Sequence, residues 1–297
     1  MPTWSGARVA VLGGEVREWE VIRSFLERGC TVTTYGVVPN EQYAHLARNS
    51  AVEAVSGVDV IVAPVPGVGA NDILYSTHAP EPIQVNRKLL AAAKPRAFYL
   101  SGRATPTIRA AGKEFGIRFR DLGEDDYMQV MHCIPTTEGA IAITVRETDH
   151  TIHNSDALVV GYGRMGVLLA KNLRGLGARV TVAARRPEVR VRAFADGNAV
   201  CDTAHGPLSE AIAKVDLVYN TAPGPVLPRE VLQHARKGIL VMDLASPPGG
   251  IEHEAAKEVG LKMIWARAQA GTAPRHSGRA QFDVMARILD EEWGRDD

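Results

Sequence analysis

Cysteine is scarce in this sequence: there are three in 297 residues, Cys30, Cys133 and Cys201, widely separated and with no CxxC pair. Such spacing offers neither a disulfide framework nor a zinc site, and it suits a reducing cytoplasm. Net charge is lacking too, because 34 Lys and Arg balance 34 Asp and Glu. No overall field draws the chain to nucleic acid or to an anionic membrane. No apolar run approaches the roughly 20 residues of a membrane span, and the opening "MPTWSGARVAVLGG" lacks the apolar stretch of a signal peptide. A cytoplasmic protein with no nucleic-acid or membrane partner is expected. HExxH, GxSxG and GxxxxGKS/T are all absent, so a zinc protease, a serine hydrolase or a P-loop ATPase would have no residues to work with. No metal site is expected.

What the chain does have is enough apolar residues, 45% of the total, to bury the cores of about two domains. Short β-branched runs alternate with amphipathic stretches, the pattern of strands and helices in a parallel sheet covered on both faces. Strands are predicted at Arg8–Leu12, Thr31–Tyr35, Val58–Pro64, Ala97–Leu100 and Ile117–Arg120, then at Ala157–Val160, Arg179–Ala183, Leu217–Asn220, Ile239–Asp243 and Lys262–Trp265. The fold class expected is α/β, with two Rossmann-like doubly wound parallel-sheet domains in tandem. The first spans 1–150, the second 151–280, and a C-terminal helix over 281–297 packs back on the first. Their openings share a pitch: Gly13 to Gly29 is 29 − 13 = 16 residues, and Gly161 to Gly177 is 177 − 161 = 16. One supersecondary unit is used twice.

The second opening is complete. "ALVVGYGRMG" is an apolar strand running into Gly161, Tyr162, Gly163, Arg164, Met165 and Gly166, with an apolar helix directly after. In a GxGxxG turn the first glycine makes the tight turn, the second lets the backbone approach a pyrophosphate, and the third lets helix and strand pack closely. Free amides at the helix start bind the phosphates. In the first opening Glu15 falls on Gly163 and Glu18 on Gly166, so a carboxylate occupies the approach to the helix N-terminus and repels a pyrophosphate. That unit keeps the fold and is expected to hold the other reactant.

Cofactor choice is read at the end of the second strand, where an NAD site usually carries an acidic residue. Here "VTVAARRPEVR" places Arg185 and Arg186, which suit a 2′-phosphate, so NADP is favoured over NAD; Glu188 and a merely solvated role for the arginines are the competing readings. Asn220, Thr221, Ala222 and Pro223 end one later strand, and Asp243, Ala245 and Ser246 end the next, so both turns should border the nicotinamide half. Ordinary turn chemistry is the alternative. In the first unit "YLSGRATP" offers Ser101 and Arg103 as carboxylate anchors, against a plain surface arginine. "MHCIPTTEG" gathers His132, Thr136, Thr137 and Glu138, with Glu138 and His132 as proton-transfer candidates and a structural hydrogen-bonding histidine as the bland reading. Asp125 and Asp126 form a carboxylate pair or cap the next helix.

These residues together resemble the A-subunit family of dipicolinate synthase, proteins of spore-forming bacteria that complete dipicolinic acid synthesis. The likeness spans nearly the whole chain and rests on "VAVLGG", "IPTTEGAIAIT", "DHTIHNSDALVVGYGRMG", "NTAP" and "DLASPPGG". It implies oxidation of a dihydrodipicolinate, derived from a hydroxy-tetrahydrodipicolinate, with NADP as hydride acceptor in the mother-cell cytoplasm of a sporulating bacterium. The ring's two carboxylates would meet Arg103 and the hydroxyls of Ser101, Thr136 and Thr137. The flavoprotein-like B subunit of dipicolinate synthase would be the partner, and a homo-oligomer is compatible with it. Gly271, Thr272, Ala273 and Pro274 are similar to a loop that the family sets beside the nicotinamide. Two alternatives share the two-domain plan: an NAD(P)-dependent 2-hydroxyacid dehydrogenase-like enzyme, and a non-catalytic NADP-binding regulatory subunit.

Overall fold

The computed structural model describes residues 3–267 and 269–294. The first elements are β1 (Arg8–Leu12), α1 (Glu18–Glu27), β2 (Thr31–Tyr35), α2 (Ala51–Val55), β3 (Val60–Val62), α3 (Arg87–Ala92), β4 (Phe98–Ser101), α4 (Pro106–Lys113), β5 (Arg118–Asp121) and α5 (Asp126–Glu147). Then come β6 (Asp156–Val160), α6 (Arg164–Gly175), β7 (Arg179–Ala183), α7 (Pro187–Ala195), β8 (Ala199–Cys201), α8 (His205–Ile212), β9 (Leu217–Asn220), α9 (Arg229–Leu232), β10 (Leu240–Asp243), α10 (His253–Glu258), β11 (Lys262–Trp265) and α11 (Pro274–Glu292). Each expected strand is present, trimmed or shifted by no more than two residues.

Packing divides the described chain into two units. One takes in the residues up to His132 and from Ala273 onward; the other is Cys133–Thr272. These limits differ from the expected 150 and 280 for local reasons. The first limit falls within a single helix, α5, with Pro135 inside it, and Asp125 caps its start by accepting from Met128 N at 3.1 Å. The closing helix begins at Pro274, where proline suits the first turn, and residues 295–297 of the expected segment lie outside the described residues.

In the first unit five parallel strands lie in the order β2-β1-β3-β4-β5. Side chains alternate across a strand, so Val9 and Val11 join Trp4, Phe25 and Phe282 on one face, whereas Ala10 and Leu12 join Tyr35, Ile61 and Tyr99 on the other. A strand buried on both faces has no polar side, which is why "RVAVL" is apolar after its first residue. α11 lies against α1: Trp4, Phe25 and Phe282 meet edge-on with ring centroids 5.0–6.3 Å apart. Truncating one such ring costs about 3–5 kcal/mol.

The second unit has six parallel strands in the order β8-β7-β6-β9-β10-β11. Ala157 and Val159 of β6 pack with Leu169 and Ala170 of α6, while Leu158 and Val160 pack with Leu208, Ile212 and Val241 behind the sheet. Winding reverses between β6 and β9, which are neighbours, and a ligand crevice opens beyond the carboxyl ends of strands at such a point. The edge strand β8 is not among the predicted strands. It has only three residues, two of them exposed, so no apolar run marks it.

Candidate functional site

The glycine turn at the carboxyl end of β6 has the backbone its three tasks require. Gly161 sits at φ +94°, and a Cβ there would meet Thr221 Oγ1 at 2.6 Å. A Cβ on Gly166 would run into the Gly161 carbonyl, so helix and turn touch through bare backbone. Gly163 has nothing within 4 Å of where its Cβ would be. It is the N-cap of α6, where no side chain caps the helix. An uncovered helix N-terminus over open space is a cradle for a pyrophosphate, and these residues fit the group. Arg164 and Met165 form the first turn of α6. Tyr162 turns its ring away from the cradle: its hydroxyl donates to Asp196 Oδ2 at 2.8 Å. Burial, then the Asp196 carboxylate, push that phenol up to about 12.

From the turn a groove of about 350 Å³ runs past the end of β7, lined by Gly161–Gly163, Ala183–Arg186, Thr203, Ala222 and Pro223. Arg185 and Arg186 are both exposed there, and Arg186 faces Glu188 at 3.4 Å across solvent. An ion pair this open is worth little. Val189 and Val226 also line the groove, and of its lining residues Thr203 is the one that no sequence motif includes. The only clue to Thr203 would be β8 just before it, which the sequence does not announce.

The turns after β9 and β10 are tied to each other. Asn220 and Asp243 are both fully buried. Asn220 Nδ2 donates to Asp243 Oδ1 at 2.9 Å and to Ala222 O at 3.0 Å, while its Oδ1 accepts from Ala222 N at 3.1 Å. Asp243 also accepts from Ala245 N, Gly250 N, Ile251 N and His253 Nε2 at 2.9–3.2 Å. Both side chains are thus spent on shaping the two turns. Thr221 Oγ1 donates to Val160 O at 3.0 Å, locking the β9 turn to the glycine turn. Ser246 is exposed on the following loop. His253 packs on Trp265 with ring centroids 4.5 Å apart, and Trp265 Nε1 donates to Ala245 O at 3.0 Å.

Within the second unit, α5 carries Thr136, Thr137 and Glu138. Thr137 is buried and structural: it donates to Ile134 O at 2.9 Å and accepts from Asn172 Nδ2 at 3.2 Å. Thr136 is buried, and Glu138 is exposed with no hydrogen bond or ion pair among the described residues. Gln269–Thr272 makes one 3-10 turn.

The first unit's glycine turn is occupied by its own chain. Gly13 and Gly14 have positive φ, and Gly14 N donates to Tyr75 O at 2.9 Å. Glu18 is buried, and its Oε2 accepts from Glu15 N at 2.6 Å. Burial pushes the Glu18 carboxyl up to about 7. Glu15 pairs with Arg17. Ser101 is buried, donating to Pro64 O at 3.1 Å, whereas Arg103 is exposed with no ion pair among the described residues. His132 places Nε2 3.3 Å from Ser277 O, and burial pulls its imidazole down to about 4. A cavity of about 520 Å³ beside the end of β2, lined in part by Trp19, Tyr35 and Tyr43, contains none of the expected residues. Among the described residues no group of three or more His, Cys, Asp and Glu could hold a metal ion. No helix there is long and apolar enough to cross a membrane.

Two parallel doubly wound units, one with an intact dinucleotide turn, define a dehydrogenase-type Rossmann protein. Family models agree with that class: residues 143–264 match shikimate / quinate 5-dehydrogenase, and residues 8–122 match the N-terminal domain of the dipicolinate synthase A subunit. In particular, the chain is similar along nearly its whole length to the A subunit of dipicolinate synthase. The A subunit of Bacillus subtilis (strain 168) dipicolinate synthase is 27% identical over 97% of both chains. The crystal structure of the Bacillus halodurans A subunit is 26% identical, covers 96% of this chain and 98% of its own, and superposes with a TM-score of 0.85. A transhydrogenase from Sinorhizobium meliloti shares the fold at 17% identity and a TM-score of 0.67, covering 95% of this chain and 93% of its own.

Proposed function

We propose that the protein oxidises a dihydrodipicolinate to dipicolinate with NADP, as the A subunit of a two-subunit dipicolinate synthase in the cytoplasm of a sporulating bacterium. The observation that carries this reading is the second unit's glycine turn, open at Gly163 and followed along one groove by Arg185 and Arg186. NADP, when bound, supplies the hydride acceptor. The protein's part is to hold a ring bearing two carboxylates in position, because removing a hydride and a proton from that ring gains aromaticity. Arg103, exposed and without an ion pair among the described residues, is the carboxylate anchor that the first unit offers just after β4. Glu138 is favoured over His132 as the proton acceptor, because the histidine's Nε2 is spent on Ser277 O and its basicity is low. In the first unit the Glu18 carboxyl group occupies the start of α1, accepting from Glu15 N, so one cofactor is bound per chain.

Absorbance at 340 nm tests this with purified protein, NADP and a freshly generated dihydrodipicolinate pool, with and without the B subunit. Growth of NADPH absorbance is expected, and Arg103→Ala should raise the substrate KM at least tenfold at unchanged thermal stability. An unchanged KM removes Arg103 from the site. NADP binding without turnover, alone and with the partner, supports the regulatory-subunit reading instead.

A further inference from the structure

What shapes the far end of the groove is a question that rests on the NADP reading above. Two strand ends meet there, the turn after β7 at Ala184–Arg186 and the turn after β8 at Asp202–Ala204, and residues of both line the groove. Backbone joins them, with Ala184 N donating to Cys201 O at 3.2 Å. One side chain joins them more firmly. Arg190, in the first half of α7, donates from Nη1 to Ala184 O at 2.7 Å, to Arg185 O at 2.9 Å and to Asp202 Oδ2 at 2.5 Å. The other Asp202 oxygen accepts from Ala204 N at 2.9 Å, just ahead of α8. Thr203 stands between these anchored residues, and its hydroxyl has no hydrogen-bond partner among the described residues.

The same contacts bear on the choice between cofactors. An NAD site offers a carboxylate to the ribose diol near this strand end. Two carboxylates lie close in sequence here, and each faces an arginine. Glu188 does so loosely, at 3.4 Å with both side chains about two-thirds exposed. Asp202 does so at 2.5 Å, against a guanidinium only 23% exposed. Asp202 is therefore the carboxylate that the fold itself neutralises, leaving the Thr203 hydroxyl and the guanidiniums of Arg185 and Arg186 to line the groove.

We propose that the 2′-phosphate is read from both strand ends at once, directly by the Arg185 guanidinium and the Thr203 hydroxyl. Arg190 acts as a positioning residue that holds the two turns together and keeps Asp202 off the ribose. The test measures equilibrium dissociation constants for NADP and NAD by calorimetry, with melting temperatures as a check on folding. Thr203→Val should weaken NADP about tenfold, the loss of one hydrogen bond to a charged group, and leave NAD within twofold. Arg190→Leu should weaken NADP at least tenfold and narrow the NADP-to-NAD preference, and Arg190→Lys, which keeps a donor for the same oxygens, should restore most of it. Equal weakening of both cofactors by Arg190→Leu would reduce Arg190 to a fold-stabilising role and overturn its part. An unchanged preference in Thr203→Val, which stands even if Arg190→Leu fails to fold, overturns direct reading by Thr203. A wild-type protein that binds NAD as tightly as NADP sinks the NADP reading itself, before any variant is made.

Discussion

Asn220 and Asp243 hold each other at the buried ends of adjacent parallel strands, Nδ2 to Oδ1 at 2.9 Å. The carboxylate lies at the centre of five donors drawn from the β9 end, the loop after β10 and α10. Removing it leaves those donors unsatisfied in a site without water access, and breaking a buried charged network in this way costs about 3–5 kcal/mol. Asp243→Ala should therefore lower the melting temperature sharply, whereas Asp243→Asn, which keeps one acceptor, should lower it less. Cofactor affinity should fall only as the two turns loosen. A variant with wild-type stability and lost cofactor binding would show instead that Asp243 touches the cofactor.

The glycine turn separates binding from folding. Gly163 has ordinary backbone angles, φ −85° and ψ −162°, and open space around its missing Cβ. Gly163→Ala should keep the melting temperature within a few degrees and weaken cofactor binding at least tenfold, because the added methyl stands where the pyrophosphate approaches. Gly166→Ala should do the reverse in order, unfolding first, since its Cβ would collide with the Gly161 carbonyl. Thermal melts and cofactor titrations of the two variants side by side decide this.

Glu18 makes the first unit sensitive to pH. Its carboxyl is raised by burial from 4.5 to about 7, so the folded state holds a proton that the unfolded chain has lost. That contribution to stability is fully present below the unfolded value and disappears as pH rises through about 7. A shift of this size corresponds to roughly 3 kcal/mol. Glu18→Gln cannot lose the proton, so its stability relative to wild type should grow between pH 5 and pH 8. Urea titrations at those two values suffice. An equal difference at both would mean that Glu18 does not titrate in this range.

Much of this was legible in the chain because it is local. Strands buried on both faces, such as β1 and β6, announce themselves as unbroken apolar runs, and a glycine turn between strand and helix needs only sequence spacing to be seen. The substitution of Glu15 and Glu18 into the first turn was equally visible, though only the structure shows that Glu18 is the residue whose carboxylate accepts the Glu15 amide. Hidden features depended on partners distant in sequence. Asn220 and Asp243 read as residues of turns that border the cofactor, and only their mutual bond shows where their polar atoms are spent. Thr137 reads as a substrate anchor, yet Asn172 claims its hydroxyl. Thr203 was invisible because β8 is too short and too exposed to be read as a strand, and the part played by Arg190 was hidden because its partner Asp202 follows that strand. The packing units divide at His132 and Cys133 rather than at 150, inside α5, where no change of composition marks the place.

The aromatic cluster of Trp4, Phe25 and Phe282 sets an order on the birth of the molecule. On the ribosome, the second unit, being contiguous, has every residue it needs by Thr272, while the first still waits for Phe282, Met285 and Leu289 to close its interior. The half of the chain that is translated first is the half that finishes last, because part of its core is made only after the whole second unit.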